Sequence, residues 1–352
     1  LVVDPALYLD DTNTAEFERP YTQLQFQYMN KVNNHQIITG LLGFSGNTMQ
    51  ENLIVGANAV DRGAEIPVVI DALIAFDNPM PSYDHDISFI SAYIHDSWKF
   101  NEAIMIEAAV YFDKMENADA FSNTTWDVEE IGPRLGLIWN ASTDNTLRLS
   151  AFKYVLPFVT SRLDPVGIAG IPIFRNTDEG TIIEEIDLVW EYETEKGLVS
   201  FGVFSLDKES PPNTIGLEGQ TDGVELTYET LLTMTTGLSS SYKYASIETQ
   251  SEPSLNRDDQ SLVIALHNQQ SNGFSIGIKN TYRVINFEDG HDTPDINILD
   301  ADITYEFDDK AGEISLKVKN ILDEEFNWVT DNFVITGRNP EREYLLSATV
   351  NF

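Results

Sequence analysis

The sequence predicts an all-β fold, a transmembrane antiparallel up-and-down β-barrel of about sixteen strands. Three observations carry this expectation. Apolar and polar residues alternate with period two along most of the 352 residues, and helical periodicity is scarce. Short turns and long polar loops follow one another in strict succession, an asymmetry that a soluble meander has no reason to adopt. The last strand ends on an aromatic: Tyr344, Leu346, Ala348, Val350 and Phe352 share one face, against Ser347, Thr349 and Asn351. At a soluble edge that face would invite aggregation; against hydrocarbon it closes a membrane barrel.

Taken in order, the strands show the same division. Gln23, Gln25 and Gln27 oppose Leu24, Phe26 and Tyr28. Ile104, Ile106, Ala108, Val110 and Phe112 face away from Glu107, Tyr111 and Asp113. Ile186, Leu188, Trp190 and Tyr192 oppose Glu185, Asp187, Glu191 and Glu193. Val224, Leu226 and Tyr228 oppose Glu225, Thr227 and Glu229. Leu299, Ala301, Ile303, Tyr305 and Phe307 oppose Asp300, Asp302, Thr304 and Glu306. Short turns are expected at 33–34, 100–101, 142–145, 195–197, 233–236, 271–273 and 308–312. Between them lie polar loops at 46–86, 114–130, 157–180, 208–222, 250–260, 287–296 and 323–342. The turns belong on the periplasmic rim and the loops outside the cell.

An even strand count needs one strand before Tyr21, and residues 1–10 are the candidate, although Pro5 interrupts them. Residues 1–20 thus read as a first strand or lead-in segment of one barrel spanning 1–352. Within 46–86, the apolar run 66–76 suits a short hairpin or helix, and this loop is a candidate to occlude the bore. Leu1 is not Met and no basic, apolar leader follows it, so a trimmed chain with an upstream signal or domain is expected.

Composition excludes several classes. No stretch approaches the ~20 apolar residues of a transmembrane helix. Cysteine is absent, so there is no disulfide, thiolate metal site or cysteine nucleophile. With 57 acidic against 21 basic residues and a net charge of −36, nucleic acid is not a partner. Two arrangements accommodate the acids: a solvated, salt-adapted surface, or a pore whose low-dielectric wall focuses a cation-attracting field.

From about Ser91 onward the motifs resemble a known family. Ser91-Ala92-Tyr93-Ile94-His95-Asp96-Ser97-Trp98-Lys99 is similar to a strand of the form S-A-Y-x-Q-D-x-W-x, with His95 in place of Gln. Gly132-Pro133-Arg134-Leu135-Gly136-Leu137, followed by Thr146-Leu147-Arg148-Leu149-Ser150, resembles a P-R-x-G-L…T-L-R-x-S hairpin. Lys319-Asn320-Ile321-Leu322-Asp323 is similar to an N-L-F-D strand end, and Gly337-Arg338 with the final strand resembles the terminal segment. Together these resemble the barrel of TonB-dependent receptors, the gated outer-membrane importers. That family carries an N-terminal plug and a TonB box, neither recognisable here, and a wider barrel of about twenty-two strands. Energised import therefore does not carry over. The resemblance leaves open a fragment of a longer receptor or a smaller plugless relative. Similar barrels fused to periplasmic helical repeats serve as exopolysaccharide exporters.

The registers place Glu107, Asp113, Glu185, Asp187, Glu191, Glu193, Glu225, Glu229, Asp300, Asp302 and Glu306 on the inward face, with Glu313. Arg134, Arg148, Lys243, Lys279, Lys317 and Lys319 share it. Charge belongs there because an Arg or Lys at mid-bilayer costs about 2–4 kcal/mol. An acid-rich lumen would favour cations or a cationic polymer; alternatively, acids and bases pair as a lattice without selectivity. Of the five histidines, His85 and His291 have Asp neighbours, but a catalytic arrangement is a spatial matter and no enzyme is expected. The acidic loop 287–295 lacks the spacing of a calcium loop. Trp126, Trp328, Tyr83 and Phe121 suit the headgroup girdle or sugar stacking at the mouth. Residues 157–172, apolar for an outer loop, either fold inward as a constriction or pack on a partner.

The expected role is an outer-membrane transport pore. The alternatives are an exopolysaccharide exporter barrel, or a surface receptor or adhesin with a blocked lumen. No cofactor or metal is expected. The expected partners are outer-membrane lipid and lipopolysaccharide, the barrel-assembly machinery through Tyr344, Leu346, Val350 and Phe352, and a periplasmic partner or the TonB system.

Overall fold

The computed structural model describes residues 7–11, 14–18, 21–54, 57–61, 68–70, 83–119, 124–157, 162–165, 167–173, 180–211, 218–250, 253–290, 295–307, 311–324, 328–329, 334–335 and 342–350. Its strands are β1 (Leu7–Asp11), β2 (Thr14–Glu18), β3 (Tyr21–Val32), β4 (His35–Ile54), β5 (Ala57–Asp61), β6 (Val68–Ile70), β7 (Tyr83–Lys99) and β8 (Ile104–Asp119). There follow β9 (Thr124–Asn140), β10 (Asn145–Val155), β11 (Gly167–Ile168), β12 (Ile171–Pro172), β13 (Ile182–Thr194), β14 (Gly197–Glu209), β15 (Gly219–Leu231) and β16 (Thr236–Thr249). The chain ends with β17 (Arg257–Gln269), β18 (Phe274–Phe287), β19 (Ile296–Glu306), β20 (Gly312–Lys319), β21 (Trp328–Val329), β22 (Val334–Ile335) and β23 (Glu343–Val350).

Sixteen of these form one antiparallel sheet of fifteen positions that follow one another in sequence order. β2 and β3 lie end to end along the long β4, with Phe17 opposite Gln50 and Gln27 opposite Gly40. They therefore share one position in the wall. Among the described residues β3 and β23 each pair with one neighbour, so hydrogen bonds between the first and last positions do not seal the sheet.

All seven expected short turns join adjacent strands of this sheet, and their chemistry is local. In the 33–34 turn Asn33 takes φ 53°, a conformation asparagine tolerates better than most residues. Asn101 Oδ1 accepts from the backbone N–H groups of Ala103 and Ile104 at 2.8 and 2.9 Å, closing the next turn.

The long connections depart from expectation. Residues 114–119 and 124–130 are strand and not loop: β8 and β9 stay paired from Lys114–Glu129 out to Asp119–Thr124. Likewise β4 and β7 extend into 46–86, to Ile54 and from Tyr83. Beyond the lipid-contacting stretch the outward side chains turn polar, as at Lys114 and Glu116, while Met115, Trp126 and Val128 still face inward, so pairing continues without an apolar outer face. Residues 7–11 do not open the wall. β1 pairs with β5, and β5 with β6, in a separate three-stranded sheet. Within 66–76, Val68–Ile70 is the described part and is a strand, not a helix. Residues 1–6, 121, 291 and 351–352 lie outside the described residues, Phe121, His291 and Phe352 among them.

The two faces of the sheet differ as the alternation requires. Leu24, Phe26, Ile94, Ile186, Ile264 and Leu346 are exposed on one face, the pattern of a lipid-contacting belt. Near the short-turn rim this belt ends in paired rings: Trp98 with Phe100 at 5.1 Å, Trp190 with Tyr192 at 6.2 Å, Phe274 with Tyr305 at 4.6 Å. These are girdle positions. Trp126 is not one of them; it is buried on the opposite face, packed with Phe44, Phe89, Met115 and Val128. The inner face of this part of the wall is thus a packed apolar core.

Candidate functional site

The inner face carries a segment that fills it. Between β10 and β13 the chain turns back over the wall, and residues 162–165 and 167–173 form a strap on the inner side. Its apolar character is what allows this: Ile168 and Ile173 pack with Phe152, Tyr154, Ile183 and Leu206. Of the two destinations for this segment, the inward one is adopted.

The strap is anchored at two points. At the first, both backbone groups of Leu163 are taken by amides of β3: its N–H donates to Gln25 Oε1 at 2.9 Å and its C=O accepts from Gln27 Nε2 at 2.5 Å. At the second, the β11–β12 hairpin turns through Ala169 (φ 52°) and Gly170 (φ 77°), the two positive angles of a tight hairpin turn. A non-glycine residue at such an angle is strained. Two charged wall residues hold it there. Ala169 N–H donates to Glu107 Oε2 at 2.6 Å, and Arg148 Nη1 donates to Ala169 C=O at 3.0 Å. Arg148 is itself oriented by Glu191 at 2.8 Å, and Glu107 accepts from Ser97 Oγ at 3.3 Å. Gly136 leaves the space: a Cβ there would meet Ile168 at 2.9 Å and Ala169 at 3.0 Å. Beside this hairpin a cavity of about 350 Å³ opens onto Ile38, His95, Ser97 and Glu107.

Beneath the first anchor lies a buried charge cluster. Arg162 and Asp164 form a forked ion pair at 2.7 and 2.8 Å, with side chains 7% and 9% exposed. Arg162 lies over the Phe89 ring, 5.6 Å from its centroid, and the next inward position of that strand, Ser91, stands opposite Asp113 (1% exposed); on the same inner face Arg134 (4%) stacks its guanidinium 3.4 Å from the Tyr111 ring centroid. Tyr111 in turn stacks on Tyr93 at 5.0 Å. Asp113 faces the Ser91 hydroxyl across the β7–β8 pair, and Arg134 Nε and Tyr111 Oη have no hydrogen-bond partner among the described residues. Leaving a buried polar atom so costs about 1–3 kcal/mol.

The eleven acids named from sequence share one sheet face by register, but their surroundings divide them. Glu107 and Glu191 hold the strap. Asp113, Glu185 and Asp187 are buried under it, Asp187 accepting from Ser150 Oγ at 2.7 Å. Asp300 lies 3.8 Å from Lys279 and accepts from Asn320 N–H at 3.0 Å. Asp302 is paired in register with Lys317 and covers Gly277, Glu225 stands opposite Lys243, and Glu306 opposite Glu313. Glu193 and Glu229 line a cavity of about 760 Å³ at the short-turn rim. Of the bases, Lys243 lies 5.3 Å from the Phe204 ring centroid and Lys319 pairs with Glu343 at 3.0 Å. On the C-terminal strand Tyr344, Leu346 and Val350 are exposed on the outer face.

Sequence reasoning missed Gln25, Gln27, Arg162 and Asp164 as site residues. Two signals were present: a charged pair inside an otherwise apolar loop, and a glycine, Gly136, on the inward register. His35 Nδ1 pairs with Asp96 Oδ2 at 2.7 Å on the outer face of the wall, and His95 Nε2 meets Ser97 Oγ at 3.3 Å, Ser97 in turn donating to Glu107. Among the described residues no three His, Cys, Asp or Glu side chains are grouped to hold a metal.

No protein-family model and no curated protein matches the chain by sequence. Solved structures do match in fold. The open form of the ferric-catecholate import receptor Fiu from E. coli K12 is similar with TM-score 0.63 and 11% identity, over 96% of this chain and 53% of that one. The siderophore receptor PiuA from Acinetobacter baumannii gives 0.61 and 12%, over 97% and 57%. P. aeruginosa FpvA bound to a ferric pyoverdine gives 0.62 and 12%, over 96% and 48%. The chain spans about half the length of these receptors, and its fold is that of an outer-membrane receptor barrel wall.

Proposed function

We propose that the chain forms the wall of an outer-membrane translocation pore, constricted by the inward strap and biased towards cations. The observation that carries this is the strap itself. A wall with an apolar outer face has, on its inner face, a loop pinned by Gln25, Gln27, Glu107 and Arg148. A purely structural core would need no charged anchors, whereas a constriction in a wetted passage is held by polar groups that survive hydration. On the side away from the strap the inner face is open, with Glu193, Glu225 and Glu229 exposed on it. A low-dielectric wall around such charges favours cations. The fold neighbours are import receptors and transporters, which supports passage of a solute; the TonB system or another periplasmic partner would supply any energy for it.

Planar-bilayer recording tests the reading. Deleting residues 162–173 should raise single-channel conductance, and Glu225→Gln with Asp302→Asn should lower the cation-to-anion permeability ratio. Anion preference unaltered by those substitutions would remove the selectivity claim.

A receptor with a blocked lumen is the second reading, favoured by the apolar inner cluster around Phe89, Met115 and Trp126. It would show no conductance even without the strap, and ligand binding that vanishes with the outer loops.

A further inference from the structure

We propose that the strap is a self-ligand: its Arg162–Asp164 pair occupies a two-charge recognition site, formed on the wall by Asp113, Arg134 and Tyr111, that otherwise accepts a solute carrying a cation and a carboxylate close together. This rests on the reading of the strap as a constriction in a passage, and it names the chemical class that displaces it.

The geometry points this way for three reasons. First, the charges are complementary in number and sign. The wall contributes one buried carboxylate and one buried guanidinium, and the strap brings one of each, so the cluster is neutral with the strap seated and remains a zwitterionic pair of wall groups without it. Second, the wall site is incompletely satisfied as it stands. Arg162 and Asp164 spend their hydrogen bonds on each other, leaving Arg134 Nε and Tyr111 Oη unpartnered among the described residues and Asp113 with only the Ser91 hydroxyl beside it. A free solute, not tethered at residues 163 and 169, can orient to meet those atoms, and buried polar groups reward such pairing. Third, the strap is held on this site through Leu163 by two neutral amides, Gln25 and Gln27, rather than by apolar packing. Neutral hydrogen bonds at a wetted face exchange readily with water, so the seat can be vacated. An occupied site lowers apparent affinity by the fraction of time that it is free.

The experiment uses the folded chain in detergent and the capped tripeptide acetyl-Arg-Leu-Asp-amide, which reproduces residues 162–164. Isothermal titration is run on wild type, on Arg162→Ala/Asp164→Ala, and in parallel on the near-isosteric Arg162→Gln/Asp164→Asn, each checked for folding by heat-modifiable mobility. The alanine pair should bind the peptide at least about tenfold tighter than wild type. Adding Asp113→Asn to it should abolish the gain, and acetyl-Glu-Leu-Asp-amide should not bind. Equal affinity for wild type and both vacated variants, absence of binding to all of them, or equal binding of the all-acidic peptide overturns the proposal. Conductance of the 162–173 deletion is a separate readout. A silent deletion with a binding-competent vacated variant fails the pore and leaves the recognition site standing; the converse outcome does the opposite.

Discussion

At the scale of residues, glycine positions decide where large inner-face side chains lie. Gly40 sits between Gln27 and Tyr93 in the register, and Tyr93 lies over it, so that Gln27 Nε2 donates to Tyr93 Oη across the gap at 3.1 Å. Any Cβ at Gly40 would collide with the tyrosine ring. Gly40→Val should therefore cost about 1–3 kcal/mol by overpacking, although valine suits a strand, and should free Gln27 from the ring. Urea titration of refolding into vesicles checks the cost. Gly43, with nothing near its Cβ position, serves as the control and should be nearly neutral to alanine. Arg148 offers a second case. Arg148→Met removes the donor to Ala169 and leaves Glu191 unpaired, so the hairpin at Ala169 and Gly170 should loosen. Faster proteolytic nicking within 162–173, with the wall itself intact, is the expected result. Neither role was legible in the sequence, because a register places a residue on a face without saying what lies over it.

At the scale of elements, the alternation determined the strands and their faces well, and their ends poorly. The seven hairpins stand where the turn residues put them, and at several of these turns single residues meet the backbone's demands: Asn33 at φ 53°, Gly273 at φ 87°, and Asn101 accepting two N–H groups. The outer limits of β4, β7, β8 and β9 were missed because the outward face there turns polar, as at Lys114 and Glu116, and the apolar outer row that marks lipid-facing strand is lost. The facing itself is open to test on β23. Leu346 is 72% exposed on the outer face, while the neighbouring Ser347 shares a 2.7 Å hydroxyl contact with Ser315 inside. Leu346→Arg should destabilise the folded state in vesicles by up to about 2–4 kcal/mol, with smaller values nearer an interface. Ser347→Arg should cost less, because its charge reaches the wetted side. Equal penalties at the two positions would show that the strand is not divided between lipid and water.

At the scale of the whole molecule, the net charge of −36 acts through the field and not through single contacts. Cation preference in bilayers should accordingly be strong at low salt and fade above about 0.15 M, where screening shortens to about 8 Å. A permeability ratio independent of ionic strength would mean that ion pairing along the wall, as between Arg283 and Asp259, has cancelled the field. What the chain's sequence determined by itself was the sheet, its two faces and the turns, because period two and turn chemistry are properties of neighbouring residues. What only the tertiary structure decided was the filling of the inner face. The strap's destination, the seating of Arg162 over Phe89, and the anchoring of Ala169 by Glu107 and Arg148 join residues tens of positions apart. Such contacts arise from how the sheet brings distant strands within reach, and no local pattern encodes them.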